Sequence, residues 1–241
     1  MLNKIKIISI ISMIIFLSFG ALFGEGLLEN DIVSINTSVG YVSKYVPRGF
    51  IGDKNSVIQT DFSVSLYNFT AEVFATQALH KDDNGDVVGN EVDYILQYDR
   101  TFFENLNLSL GYAIYAYPSK ETDSPDYSEI YFKASYNFLI TPSLFFGDDP
   151  HNGWKYFEFG LSYSQSIVEK LGLDLGATYG NNSGIKGSEG SYINLGLTIN
   201  AKLTDNLTIS PNVHLLSGRT KDLKKDKDNE VYGGVSLGYS I

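Results

Sequence analysis

Most residues able to carry chemistry in this 241-residue chain are acids, and they recur at one kind of position. Asp61, Glu72, Glu91, Asp93, Asp99, Glu129, Glu158 and Asp174 each lie on the polar register of a stretch whose alternate residues are apolar. Examples are "VIQTDFSVSLY", "EVDYILQYDRTF" and "KYFEFGLSYSQ". Lys44, Lys133 and Arg48 are the cations that join them. Period two sends successive side chains to opposite faces of a sheet, so a closed sheet would gather these charges in one interior. The chemistry of such a set is electrostatic. An acidic excess in a narrow, low-dielectric passage attracts cations and repels anions. The alternative is that acids and bases pair across the interior and plug it.

Bond-making chemistry finds little to build on. His80 and His151 fall in loops and His214 in mid-strand, facing inward. A nucleophile needs a base and an orienting group within reach, and no Ser–His spacing supplies them. His80 with Asp82, Asp83 and Asp86 reads as a solvated loop ahead of an acid–base or metal cluster. Its "DDNGD" echoes a calcium loop but lacks the spacing of the bidentate Glu. The chain has no cysteine, which removes disulfides and thiol chemistry. We therefore expect no catalytic residue, no metal and no cofactor. A net charge of −10, with cations clustered in one loop only, argues against nucleic acid as a partner.

The elements that must position the acids are strands. Alternation of the kind above recurs about twelve times, and aromatics make up 14 % of the chain alongside 23 glycines. "ITPSLFFG" is the weakest of these stretches, because of Pro142. A soluble sandwich would alternate too, but three features favour a membrane barrel. The polar faces carry Ser, Asn, Gly, Thr and acids, small enough for the inside of a narrow barrel. Short connections such as "YN", "FFEN" and "LTDN" alternate with long ones such as "VPRGFIGDKN", "HKDDNGDVVGN", "GDDPHNG" and "SGRTKDLKKDKDNE", the plan of an outer-membrane barrel. The last stretch, "VYGGVSLGYSI", keeps one apolar face from Val231 to Ile241, as a closing strand must. The expected fold is all-β: a transmembrane, antiparallel, up-and-down β-barrel of twelve strands, with ten or fourteen as the nearest alternatives. Tyr41, Tyr45, Phe69, Phe102, Phe103, Tyr112, Tyr136, Phe157, Tyr163 and Tyr239 are candidates for interfacial girdles.

The barrel is assigned to residues 25–241. Residues 1–24 read as an export signal: "MLNKIK", then an uncharged apolar run, then small residues with cleavage after Gly20 or Gly24. Losing Lys4 and Lys6 would take the charge from −10 to −12.

The segment "SVGYVSKYVPRGFIGDKNSVIQTDFSVSLYNFTAEVFATQ" has a Tyr-x-x-Arg-Gly turn at Tyr45, Arg48 and Gly49, followed by Gln59. "NEVDYILQY", "LGYAIYAYP" and "DYSEIYFKASY" add Glu91, Asp93, Tyr117, Pro118, Asp126, Tyr127, Glu129 and Tyr131. Together they resemble the TorF-like porins, a family of bacterial outer-membrane barrels. The resemblance is clearest from about residue 35 to 140, and Pro47 departs from the family pattern. It implies a porin-like barrel and no particular solute.

The expected function is passive diffusion of small hydrophilic solutes across a bacterial outer membrane, with a preference for cations. A plugged structural or surface-binding barrel is the alternative, and an outer-membrane hydrolase a more distant one. Arg48, Asp61, Glu72, Glu91, Asp93, Asp99, Glu129, Lys133, Glu158 and Asp174 are the lumen candidates. Neutralising Glu91, Asp93 and Glu129 is expected to lower cation preference. Expected partners are the solutes, outer-membrane lipid and lipopolysaccharide, the last met by Arg219, Lys221, Lys224 and Lys225. The barrel-assembly machinery would bind through Val231 to Ile241.

Overall fold

The computed structural model describes residues 33–81, 90–118, 127–184, 189–218 and 229–241. The signal segment, Asp82, Asp83, Asp86, Asp126, Arg219, Lys221, Lys224 and Lys225 lie outside the described residues.

Twelve strands run in chain order: β1 (Val33–Val42), β2 (Val57–Leu66), β3 (Phe69–Ala78), β4 (Glu91–Phe102), β5 (Leu106–Ala116), β6 (Tyr127–Tyr136), β7 (Thr141–Asp149), β8 (Trp154–Val168), β9 (Leu171–Ser183), β10 (Gly190–Lys202), β11 (Leu207–Gly218) and β12 (Glu230–Ser240). Each pairs antiparallel with its sequence neighbours, and β12 returns to β1, so the sheet is a closed barrel. The closing ladder runs from Asn36↔Ser240 to Val42↔Gly234. Ile35 and Ile241 extend it by exchanging both backbone hydrogen bonds, at 2.8 and 3.0 Å. Closure matters in lipid, where each unpaired backbone group costs several kcal/mol. Gly234 makes the approach feasible, since a Cβ there would lie 2.1 Å from the Tyr41 carbonyl oxygen.

Both strand prolines sit where the ladder does not need their nitrogen. Pro142 pairs with Leu161 of β8, while the β6–β7 ladder stops at Ser143. Pro211 pairs with Val235 of β12, and the β10–β11 ladder skips it between Thr198↔Asn212 and Ala201↔Ile209.

One end of the barrel has the short connections 67–68, 103–105, 137–140, 169–170 and 203–206. Longer ones gather at the other end, with one exception to the expected alternation. The stretch "GDDPHNG" is not a loop: β7 continues through Asp149 and only 150–153 turn. Asp149 tightens that turn by accepting from the backbone of His151 (3.0 Å) and Asn152 (3.1 Å) and from Asn152 Nδ2 (2.8 Å).

The apolar register faces outward. Tyr94, Leu96, Leu110, Phe132, Leu144, Phe157, Leu175 and Leu195 are all exposed. Tyr67, Phe69, Phe102, Phe103, Tyr136 and Phe138 are exposed around the turn end, as an interfacial belt requires. The polar register faces the lumen and divides by height. Near the turns it carries small residues such as Ser65, Thr70, Asn107, Ser109, Ser143 and Ser210. Near the loops it carries rings, and Trp154, Tyr156 and Tyr192 with Leu216 form a buried cluster flanked by Val46, Tyr115, Phe145 and Tyr232.

Candidate functional site in the lumen

The first long connection, residues 43–56, supplies the centre of the site by folding into the lumen. Tyr45 and Asp53 form an antiparallel bridge across its neck, Tyr45 N donating to Asp53 O at 3.0 Å and Asp53 N returning to Tyr45 O at 3.1 Å. Asp53 Oδ1 accepts from Asn55 N at 2.8 Å, which fixes the return arm. At the tip, Pro47 starts a tight turn closed by Phe50 N donating to Pro47 O at 3.1 Å. Arg48 (φ 47°) and Gly49 (φ 78°) both take the left-handed conformation. Gly49 has no substitute there, since a Cβ would lie 2.0 Å from the Tyr192 ring.

This tip delivers Arg48 to the far wall. Its Nη1 donates to Glu129 Oε2 at 2.6 Å, and its Nη2 to Glu129 Oε1 at 2.8 Å and to the Tyr115 hydroxyl at 2.6 Å. The guanidinium carbon lies 4.4 Å from the Trp154 ring centre and 4.5 Å from that of Tyr156. Asn182 Nδ2 holds the Arg48 carbonyl at 2.7 Å. Such a fork, matched to a carboxylate and stacked on rings, is a geometry only Arg provides. Burial works against the charge, but Tyr115 and Glu129 outweigh it, and the Arg48 pKa is raised. The charge is therefore permanent.

A second anchor is Tyr45, which donates its hydroxyl to Glu91. Burial first, and Glu91 second, raise the pKa of this phenol, so it keeps its proton. Tyr45 is thus an interior latch and not the girdle residue its sequence position implied. Tyr117 adds a bond to the other Glu91 oxygen at 3.3 Å.

All the sequence-predicted acids face inward, but they divide into two groups. Glu91, Asp93 and Glu129 are buried beside or beneath the folded loop, and Glu129 is fully buried in its ion pair with Arg48. Asp93 Oδ1 has no hydrogen-bond partner. Glu158 accepts from the Tyr156 hydroxyl and, at 3.2 Å, from that of Tyr192. The rest lie nearer the turns. Asp99 accepts from Gln97 Nε2 at 2.8 Å and Ser109 Oγ at 2.6 Å. Lys133 donates to Gln97 Oε1 at 3.0 Å. Asp174 accepts from Asn200 Nδ2 at 2.5 Å, and Asp61 and Glu72 are adjacent. Lys44, at the rim, pairs with Glu230.

Sequence reasoning missed Trp154, Tyr156, Tyr192, Asn182 and Asn194. For the three rings the signal was there: large aromatic residues on the otherwise small-residue register, at strand ends beside long connections. A cavity of about 240 Å³ remains between the folded loop and β8–β12. A second of about 210 Å³ lies against β1–β3, β11 and β12, lined by Ser38, Gln59, Phe74, Asn212 and Ser236 among others.

No family model matches the chain, and no curated protein does. Solved structures are similar in fold. The KdgM porin aligns with a TM-score of 0.56 at 12% identity, over 86% of this chain and 99% of that one; a second KdgM structure is a complex with disordered oligogalacturonate. The NanC porin gives 0.53 at 11%, over 86% and 98%. An outer membrane channel from Pseudomonas putida F1 gives 0.50 at 11%, over 87% and 95%. At these identities the likeness is one of fold: the chain is a closed β-barrel built like outer-membrane channels.

Proposed function

We propose that the protein is a porin-like channel of a bacterial outer membrane, passing small hydrophilic solutes and preferring cations. The observation that carries this is the imbalance of charge on the inward face. Among the described residues two ion pairs form, Lys44–Glu230 and Arg48–Glu129. Asp61, Glu72, Asp99, Glu158 and Asp174 have no basic partner in ion-pair contact, and the unpaired cations on their register are Lys133 and, at the turn end of β10, Lys202. A passage so lined draws cations. The resemblance of residues 35–140 to TorF-like porins supports the porin-like part of this reading. A polyanion such as the oligogalacturonate of the KdgM complex does not suit this interior. The inward loop narrows the passage and selects for small solutes.

The test is the reversal potential of the refolded protein in a planar bilayer under a potassium chloride gradient. Stable current steps with a cation-selective potential are expected. Replacing Asp61, Glu72 and Asp99 together with Asn, Gln and Asn should move that potential toward zero. An unchanged potential in the triple variant would remove these acids from selectivity. Folded protein without current would favour the second reading, a plugged barrel, for which the loop inserted across the lumen is the specific support.

A further inference from the structure

The cavity beside the folded loop holds a combination of groups that ion passage alone leaves unexplained. It is lined by Arg48, Tyr156, Glu158, Tyr192, Asn194 and Tyr232, among others. Its charge does not balance. Arg48 is the cation on its wall, and the fork of Arg48 is committed to Glu129 and Tyr115. Glu158 is left with phenol donors only. On the same cavity wall, two strands away on β10, Asn194 Oδ1 is buried without any hydrogen-bond partner. Two acceptors thus share a cavity without an N–H donor in hydrogen-bond contact with either, and Glu158 brings a negative charge with no basic partner in ion-pair contact. The surrounding phenol rings are surfaces that attract a cation and cover an aliphatic stem.

We propose that this cavity is a binding subsite for a small primary ammonium solute. The ammonium donates to the Glu158 carboxylate and to Asn194 Oδ1, and its carbon stem packs on the rings of Tyr192 and Tyr232. The inference deepens the channel reading and rests on it. Alternatives fit less well. A hard metal ion needs about six or more oxygen ligands, with several of them anionic or carbonyl oxygens, and here one carboxylate and one amide oxygen are offered beside hydroxyls. A neutral polyol would leave the carboxylate uncompensated. A guanidinium needs both oxygens of a carboxylate edge, and Glu158 Oε2 is already taken by the Tyr156 and Tyr192 hydroxyls. The volume, below the roughly 300–1,000 Å³ of drug-sized pockets, restricts the solute to a few heavy atoms.

The probe is propylammonium chloride, with 1-propanol as its uncharged counterpart. In the planar bilayer, propylammonium should reduce the wild-type potassium current saturably, while 1-propanol should not. Each variant is compared with its own unblocked current. Glu158→Gln should raise the half-blocking concentration at least tenfold, and Asn194→Leu should raise it less. Equal block by 1-propanol, or equal block of Glu158→Gln, overturns the site and leaves the channel reading intact. Should the barrel carry no current, the heat-induced gel-mobility transition of the detergent-solubilised protein reads binding directly. A saturable upward shift with propylammonium in wild type, absent in Glu158→Gln, supports the site although the channel reading has failed. No shift in wild type overturns the site.

Discussion

Arg48 is held by a carboxylate, a phenol, two ring faces and a carbonyl anchor at once, so its loss has two separable effects. Arg48→Ala leaves Glu129 buried with the Tyr115 hydroxyl at 3.1 Å and no counter-ion, and losing one partner of a buried ion pair costs about 3–5 kcal/mol. The folded-to-unfolded gel transition should fall accordingly. The loop tip also loses its tether, so single-channel conductance should rise. Arg48→Lys should recover charge but not the fork, and fall between the two. The pH dependence follows from the sign of the shift. A raised pKa gives a contribution present below the unfolded value and lost only above the folded one, and for Arg48 both lie beyond working pH. The conductance difference between Arg48→Ala and wild type should therefore be the same at about pH 7 and about pH 10, as current recordings at the two values would check. Sequence parity aimed Arg48 and Glu129 at a common interior. It could not tell that they meet, because strand parity gives a direction and not a partner 81 positions away.

At the scale of elements, the first loop and the closing strand each depend on a glycine with nowhere to put a methyl group. Gly49→Ala would demand a left-handed alanine whose Cβ overlaps the Tyr192 ring. The barrel should still form, with the loop tip displaced and the conductance raised, as single-channel recording would show. Gly234→Val acts elsewhere, pushing β12 off the Tyr41 carbonyl in the β1–β12 ladder. The expected result is loss of the heat-modifiable folded band on refolding. Strand existence was legible because alternation is local: every strand from β1 to β12 was visible from its own residues. Boundaries were less so. "GDDPHNG" reads as a loop from its Gly, Pro and Asn, yet Asp149 caps a four-residue turn that extends β7. The inward path of residues 43–56 was illegible for a related reason. A polar loop with Pro and Gly looks the same whether it meets water or a ring-lined wall, and the wall is assembled from β5 to β10.

For the whole molecule, the division of the lumen by height sorts the acids by what they can do. Near the loops, Glu129 is engaged by Arg48, and Glu91 by Tyr45 and Tyr117. Those near the turns sit among small hydroxyl and amide groups. Glu91→Gln should thus change the reversal potential less than the Asp61, Glu72 and Asp99 substitutions do, a ranking that bilayer recordings would establish. Composition and alternation identified the closed barrel and its acidic interior. They left open whether the interior is filled, since that depends on one loop and on where the rings fall along each strand.

The crowding of rings and folded loop at a single end has an electrical consequence. In a conductor of uneven bore, a transmembrane voltage drops mainly across the stretch of highest resistance. Here that stretch is the short collar around Arg48, while the Ser- and Gly-lined remainder behaves as an antechamber close to the potential of the solution it opens into. Cations gathered by Asp61, Glu72, Asp99 and Asp174 would stock that antechamber on one side of the collar alone. Current driven out of it should exceed current driven toward it, so the protein should rectify, and high salt should abolish the asymmetry by screening the stock.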